Sequence, residues 1–334
     1  MLGKDLTANL PARRKAQKRI EDARLVFTTC IGAALGLLRT ESFDVVIVDE
    51  ASQQTEPATL VPLVKGCSRA ILVGDHVQLR ATVQQNAVLT GYDVSLFERH
   101  YNMPPRKGVA KVMLDTQYRM HRNICDFSAT EFYNGKLKTA VPDHTRLLPA
   151  SLFPWPMNNR MVWIECASTE DLGQKSKANV GQVELCRKVI QLLRTSPSIT
   201  TPLLASSSSS ASAPASPPSI AVLTPYTRQK DALASAISNV EISSIDGFQG
   251  READIVIFVT VRCNSHCDMG FLSDMRRLNV VMTRAKVGVV VIGNNNTLAG
   301  TILDVDGIDE SRTVWRRLVD KCAVVVLPEA TSET

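Results

Sequence analysis

Five short runs of branched apolar residues constrain this chain more than any other feature: Val45-Val46-Ile47-Val48, Ile71-Leu72-Val73, Ile220-Ala221-Val222-Leu223, Ile255-Val256-Ile257-Phe258-Val259 and Val287 to Ile292. Each stops at a polar or glycine-bearing turn. Unbroken apolar runs of this length predict strands buried on both faces. Helical stretches fall between them, around Pro57 to Leu63, Val180 to Leu193, Thr227 to Ile237 and Asp274 to Arg284. A chain that alternates strand and helix returns each strand in the same direction, so the expected fold is α/β with mostly parallel sheets.

The 334 residues suffice for about two domains. The boundary is expected near Asp115, giving a first domain over 1–115, a second over 116–327 and a short tail over 328–334. Residues 196–219 include Ser206 to Ser210 with Pro214, Pro217 and Pro218. With little to bury, they are expected to form a disordered surface loop inside the second domain. The first 22 residues are basic and lack the apolar core of a signal peptide. They read as a solvated basic helix, with organelle targeting left open beside a cytoplasmic or nuclear location.

Hydrophobic residues make up 44% and charged residues 21%, and no stretch approaches the roughly 18 apolar residues of a membrane span. A membrane-spanning chain is therefore not expected. The net charge of +5 permits a nucleic-acid partner without arguing for one. The eight cysteines are scattered, which favours a reducing compartment over a disulfide scaffold. Cys263, His266 and Cys267 are metal-ligand types, but no second pair of ligands matches them, so they read as part of a loop.

Two polar clusters follow the first two strand runs. Val48 leads directly into Asp49-Glu50-Ala51-Ser52-Gln53, and Val73 into Gly74-Asp75-His76-Val77-Gln78-Leu79. Ligands of open parallel sheets lie at the carboxyl ends of the strands. There Asp49 can hold Mg²⁺ through water, Glu50 can serve as general base for a water attacking a γ-phosphate, and Gln78 can sense that phosphate or water. Asp75 can orient neighbouring basic groups. The alternatives are acids that cap the next helix and a structural turn at Gly74-Asp75.

These clusters are the first of an ordered series. Gln117-Tyr118-Arg119-Met120-His121 comes next, then Thr224-Pro225-Tyr226, then Asp246-Gly247-Phe248-Gln249-Gly250-Arg251-Glu252, and last Arg276-Arg277-Leu278-Asn279-Val280-Val281-Met282-Thr283-Arg284-Ala285-Lys286. The series resembles the up-frameshift group of superfamily-1 helicases. The resemblance implies two RecA-like parallel-sheet domains that face each other, with ATP and Mg²⁺ in the cleft and single-stranded RNA or DNA across both. It implies that Tyr118 stacks on adenine, that Arg119 and Arg284 reach the γ-phosphate, and that Gly250 and Glu252 approach the ribose or help place the metal. Permanently charged guanidinium groups suit a transition state that spreads negative charge over phosphate oxygens. Glycine at 250 would allow close backbone approach to the nucleotide. Gln249 would couple the cleft to the nucleic acid. Contacts to the sugar-phosphate backbone would come from the strand ends at Thr28-Thr29, Thr224-Pro225-Tyr226 and Arg262 with Asn264, each of which reads equally well as an ordinary turn. A monomer with protein regulators is implied, and RNA leads over DNA because residues 49–57 and 247–252 are closest to the RNA-surveillance branch.

One part is missing. The glycine-rich loop G-x-x-x-x-G-K-[ST] that grips the β- and γ-phosphates occurs nowhere: Gly3-Lys4 precedes Asp5 and Gly135-Lys136 precedes Leu137. Only 48 residues precede Asp49, matching a helical insertion of the first domain in relatives. The first domain is thus expected to be incomplete and this chain a poor ATPase by itself, as a truncated motor or a remnant that lost hydrolysis. The intact remaining site residues favour truncation. Leu79-Arg80-Ala81 also departs from relatives, which carry two prolines after the leucine.

Overall fold

A computed structural model describes residues 10–174, 176–196, 217–300 and 309–328. The expected disordered loop falls almost wholly outside the described residues, as do the first nine residues and the tail from 329. Two compact units divide the chain, Met1–Lys111 and Val112–Thr334.

In the first unit the basic stretch forms helix α1 (Leu10–Glu21). Strands β1 (Val45–Val48) and β2 (Arg69–Leu72) pair in parallel, Val45 opposite Arg69 and Val48 opposite Leu72. Helix α2 (Glu56–Leu63) makes the crossover and carries a proline in its first turn, where the missing N–H has no helical partner to lose. Two short helices follow, α3 (Gln85–Val88) and α4 (Leu96–Asn102). Here the expectation of burial on both faces is corrected. Val48 is buried, but Val45 is 48%, Ile47 64% and Ile71 44% exposed. Successive side chains of a strand point to opposite faces. This pair is two strands wide, and Val45 and Ile47 lie on the face that is left open.

The second unit begins with a small parallel pair, β3 (Thr116–Gln117) and β4 (Lys138–Thr139), on either side of α5 (Arg122–Phe132). Its main sheet contains β5 (Met161–Glu165), β6 (Ile220–Thr224), β7 (Glu241–Ser244), β8 (Ala253–Val259), β9 (Ala285–Gly293) and β10 (Ala323–Val324). The order is β10-β5-β9-β8-β6-β7, and every pairing is parallel. Among the described residues five helices complete the unit: α6 (Val180–Arg194), α7 (Thr227–Ala236), α8 (Met275–Arg284), α9 (Asn295–Ala299) and α10 (Glu310–Lys321).

In this sheet the long apolar runs are buried on both faces, as expected. Ile255, Ile257, Val290 and Ile292 join Cys186, Val189 and Leu233 of α6 and α7 in one core. The alternate residues Val256, Phe258, Val289 and Val291 are also fully buried, with Phe258 stacked 6.2 Å from Trp315 of α10. The α/β class with parallel sheets is as expected, and the doubly covered sheet has the RecA-like layering implied by the resemblance.

Candidate nucleotide and nucleic-acid sites

In the first unit the ends of β1 and β2 are fastened together beyond their regular pairing. Val73 N–H donates to Val48 C=O at 2.9 Å and Ala51 N–H to Val73 C=O at 2.7 Å. Between them Glu50 takes φ 51°, a left-handed conformation that turns the chain sharply and leaves the two acids at the strand end. Asp75 N–H donates to Ser52 Oγ at 3.1 Å, and Gln78 Nε2 donates to Asp75 Oδ2 at 2.7 Å. Asp49, Glu50, Asp75 and Gln78 therefore stand together at the carboxyl ends of two adjacent strands. Neither acid caps α2, whose N-cap is Thr55. Asp75 does brace its own turn, its Oδ1 accepting Val77 N–H at 3.2 Å.

Asp49 and Glu50 are exposed, and among the described residues neither is paired with a cation. Hard, hydrated carboxylate oxygens suit Mg²⁺ held through water, so the donor set fits that ion, with Asp49 the ligand. When bound, the ion would neutralise phosphate charge. The departure at Arg80 has a structural role, because its guanidinium pairs with Asp93 at 2.8 Å and also with Glu98, fixing the turn after Leu79. Thr28 and Thr29 do not close a strand. They lead into a 3-10 turn, with Thr29 Oγ1 accepting Gly32 N–H at 3.0 Å. Leu25 and Phe27 just before them are 77% and 92% exposed, with no strand beside them.

In the second unit three of the motifs meet. Arg119 Nε lies 2.6 Å from Glu252 Oε2, and its Nη1 donates to Thr283 C=O at 2.9 Å. Lys286 Nζ reaches the other oxygen of Glu252 at 2.8 Å. One carboxylate thus holds two cations, which depresses its pKa, Lys286 first and then Arg119. Arg284 is buried at 5% exposure with Nη1 3.4 Å from Arg251 C=O, while Tyr118 is 72% exposed. Gly250 takes φ +76°, and a Cβ there would meet nothing within 4 Å. Within the chain, the left-handed conformation and not crowding calls for glycine.

The other candidate contacts lie at the carboxyl ends of β6, β7 and β8. Thr224 is fully buried, and its hydroxyl has no hydrogen-bond partner among the described residues. Pro225 is half-buried and Gln249 is partly exposed after β7. Tyr226 is 4% and Arg262 2% exposed. Arg262 donates to Tyr226 Oη at 3.2 Å and pairs with Asp268 at 2.7 Å and Glu170 at 3.1 Å. The expectation that Arg262 meets phosphate from the surface is therefore at odds with its place: it is an internal brace, committed to three side chains. Asn264, half-buried, accepts from Asp268 N–H and donates to Glu170 at 3.2 Å.

Sequence reasoning missed the residues beneath this edge. Glu170, 3% exposed at its side chain, pairs with Arg262 and with Lys177 and accepts Cys263 N–H at 2.8 Å. Val261 takes φ 73°, rare for a β-branched residue, with its N–H given to Gln182 Oε1 at 2.7 Å and its C=O accepting from Asn179 Nδ2 at 3.1 Å. Asn179 alone carried a local signal, an N-cap residue before a helical pattern.

Two family models, each described as an AAA domain, match residues 4–86 and 92–296, the second alone spanning more than half of the chain. The chain belongs to the AAA-domain family, in its up-frameshift helicase group. Relatives of this group include a regulator of nonsense transcripts 1 homolog from Drosophila melanogaster, 36% identical, covering 86% of this chain and 24% of that protein. The ATP-dependent helicase NAM7 from Saccharomyces cerevisiae is 34% identical over 87% of this chain and 29% of its own length. A probable helicase MAGATAMA 3 from Arabidopsis thaliana is 36% identical over 90% and 35%. The chain thus spans about a quarter to a third of the length of these relatives.

Proposed function

We propose that this chain is the ATP-coupled part of a helicase that travels along single-stranded nucleic acid, RNA ahead of DNA, in RNA surveillance. The observation that supports it most is the cluster of Arg119, Glu252, Thr283 and Lys286, drawn from three motifs, with Arg119 and Thr283 164 residues apart. Cations gathered on an exchangeable carboxylate are suited to an incoming phosphate. The name of the Drosophila relative supports the surveillance role. Cytoplasm or nucleus fits, and among the described residues no helix is long and apolar enough to cross a membrane. A monomer that answers to protein regulators completes the reading.

Each residue has a task in this reading. Glu50 takes the proton of the attacking water on its carboxylate, while Gln78 orients that water by hydrogen bonding. Asp49 would hold the metal through water, and Asp75 keeps the Gln78 amide in place. Arg119 and Arg284 stabilise the charge that develops on phosphate oxygens. Tyr118 offers its exposed ring to adenine, and Gly250 with Glu252 lies toward the ribose. Pro225, Gln249 and Asn264 line the nucleic-acid edge of the second unit above the buried Thr224 and Tyr226, and Thr28 and Thr29 are the candidate contacts of the first unit.

The test is a titration of labelled oligo(U) and oligo(dT) with and without a non-hydrolysable ATP analogue and Mg²⁺. Binding that weakens linearly with log salt is expected, and the analogue should shift it. Arg119→Ala should keep strand binding and lose the shift. No strand binding at about 50 mM salt sinks the proposal. A second reading, a scaffold silent toward ATP, expects the same affinity with and without the analogue.

A further inference from the structure

Single-stranded nucleic acid at the carboxyl edge of the six-stranded sheet is part of the proposed function, and a role for Phe271 at that edge rests on it. The loops leaving three neighbouring strands, β8, β6 and β7, come together there, and Phe271 joins them. Its ring lies 5.5 Å from that of Tyr226, which follows β6. Arg277 approaches it as a cation–π partner at 5.4 Å, with Nε 3.7 Å from Asp246, which follows β7. The segment that carries Phe271 starts beyond β8 with Arg262. Phe271 itself is 55% exposed.

A single exposed aromatic is ordinary. What distinguishes this one is the foundation beneath it. Gly270, at φ +54°, has so little room that a Cβ would come 2.5 Å from Arg262 Nη1 and 2.8 Å from Tyr226 Oη. The backbone just before Phe271 is therefore seated on the buried guanidinium. Arg262 is in turn fixed by Glu170, and Asn264 ties the loop through two hydrogen bonds of 2.9 Å with Asp268. The strained Val261 starts this loop, held by Gln182 and Asn179. Strain and buried charge are costly, and both converge on presenting one aromatic ring to solvent.

We propose that Phe271 is a base-stacking residue for single-stranded nucleic acid and that Glu170, acting through Arg262, is the positioning residue that fixes its ring. Stacking is indifferent to base identity because every base offers a π-face, which complements backbone contacts that also carry no sequence information.

The experiment measures affinity for oligo(U), oligo(dT) and an abasic deoxyribose-phosphate oligomer. Phe271→Ala should weaken binding of the two base-bearing strands by about 5- to 150-fold, leave the salt slope unchanged and leave the abasic strand unaffected. Phe271→Trp should keep affinity and report stacking directly. Trp163 and Trp315 are at most 1% exposed and Trp155 is half-buried, so quenching by oligo(U) or oligo(dT) is read as the difference from the unsubstituted chain, which isolates the new indole. Adding Glu170→Gln to Phe271→Trp should abolish that quenching. Comparable effects with oligo(U) and oligo(dT) identify the base as the group read; an effect confined to oligo(U) makes the 2′-hydroxyl the contact and overturns stacking. If the unsubstituted chain binds strands while Phe271→Ala stays within about twofold of it and Phe271→Trp is not quenched, stacking at Phe271 fails and the helicase reading survives. Quenching that persists with Glu170→Gln overturns the positioning role. A chain with no strand affinity at all removes the helicase reading, and the role of Phe271 with it.

Discussion

Val261 is held in a left-handed conformation by hydrogen bonds that come entirely from α6 and its cap. Gln182→Leu keeps volume but leaves the buried N–H of Val261 without its acceptor. Denaturation in urea should show a loss of about 1–3 kcal/mol. An unchanged midpoint would mean that Val261 is comfortable unaided. Glu252 gives a contrasting case, since its side chain is 40% exposed and solvent screens its pairs. Glu252→Gln should cost at most about 1 kcal/mol at pH 7. The sign of its pH dependence is fixed by the depressed pKa: the contribution is present above the unfolded glutamate value, about 4.3, and is lost as pH falls through the lower folded value. The gap between wild type and variant should therefore close in acid, and a gap that widened would contradict the ion pairs.

At the level of elements, α10 offers a comparison of local and packing energy. Asp309 caps it by accepting Ser311 N–H at 3.0 Å, and Trp315 is fully buried on its inner face. Asp309→Ala should cost about 0.5–2 kcal/mol and Trp315→Ala about 3–5 kcal/mol, measured by the same unfolding titration. Equal losses would mean that α10 is held by its end and not its face. Elements were legible where burial is complete. Runs such as Ile255 to Val259 keep no polar alternation, and they became β8 and β9, extended by a few residues. β7 was missed because it is an edge strand, half-buried throughout, and Glu241-Ile242-Ser243-Ser244 shows no apolar run. β5 was missed although it is deeply buried, because Met161 and Trp163 interrupt the β-branched pattern. The same contrast governs the candidate site. Asp49 and Glu50 follow their strand in sequence, so their place could be read locally. The partnership of Glu170 with Arg262 joins residues far apart in the chain, and no local pattern encodes it.

For the molecule as a whole, the thiols give a gauge of integrity. Cys30, Cys67 and Cys267 are partly exposed, whereas Cys125, Cys166, Cys186, Cys263 and Cys322 are buried, with burial pushing Cys322 up to about 12 and Cys186 higher still. Iodoacetamide at pH 8 should label Cys67 and Cys267, and more slowly Cys30, whose thiol pKa burial raises, in the folded chain, and the buried five only after unfolding; early labelling of Cys186 or Cys322 would show that the second unit opens readily. A raised thiol pKa also sets a direction at high pH. Its stabilising contribution is complete below the unfolded thiol value, about 8.5, and declines as pH rises toward the folded value, so alkaline solution should weaken the fold.

The strand order has a consequence for biosynthesis. β9 lies between β5 and β8, and β10 pairs with β5, Ala323 opposite Val162. A ribosome releases β5 to β8 long before the strand that must separate β5 from β8. Until Ala285–Gly293 emerges, β5 is cut off from the neighbouring strands β8, β6 and β7, and both β5 and β8 await a neighbour not yet made. Nascent chains halted before that segment should therefore be protease-sensitive throughout the second unit, and protection should arrive abruptly once it clears the exit tunnel.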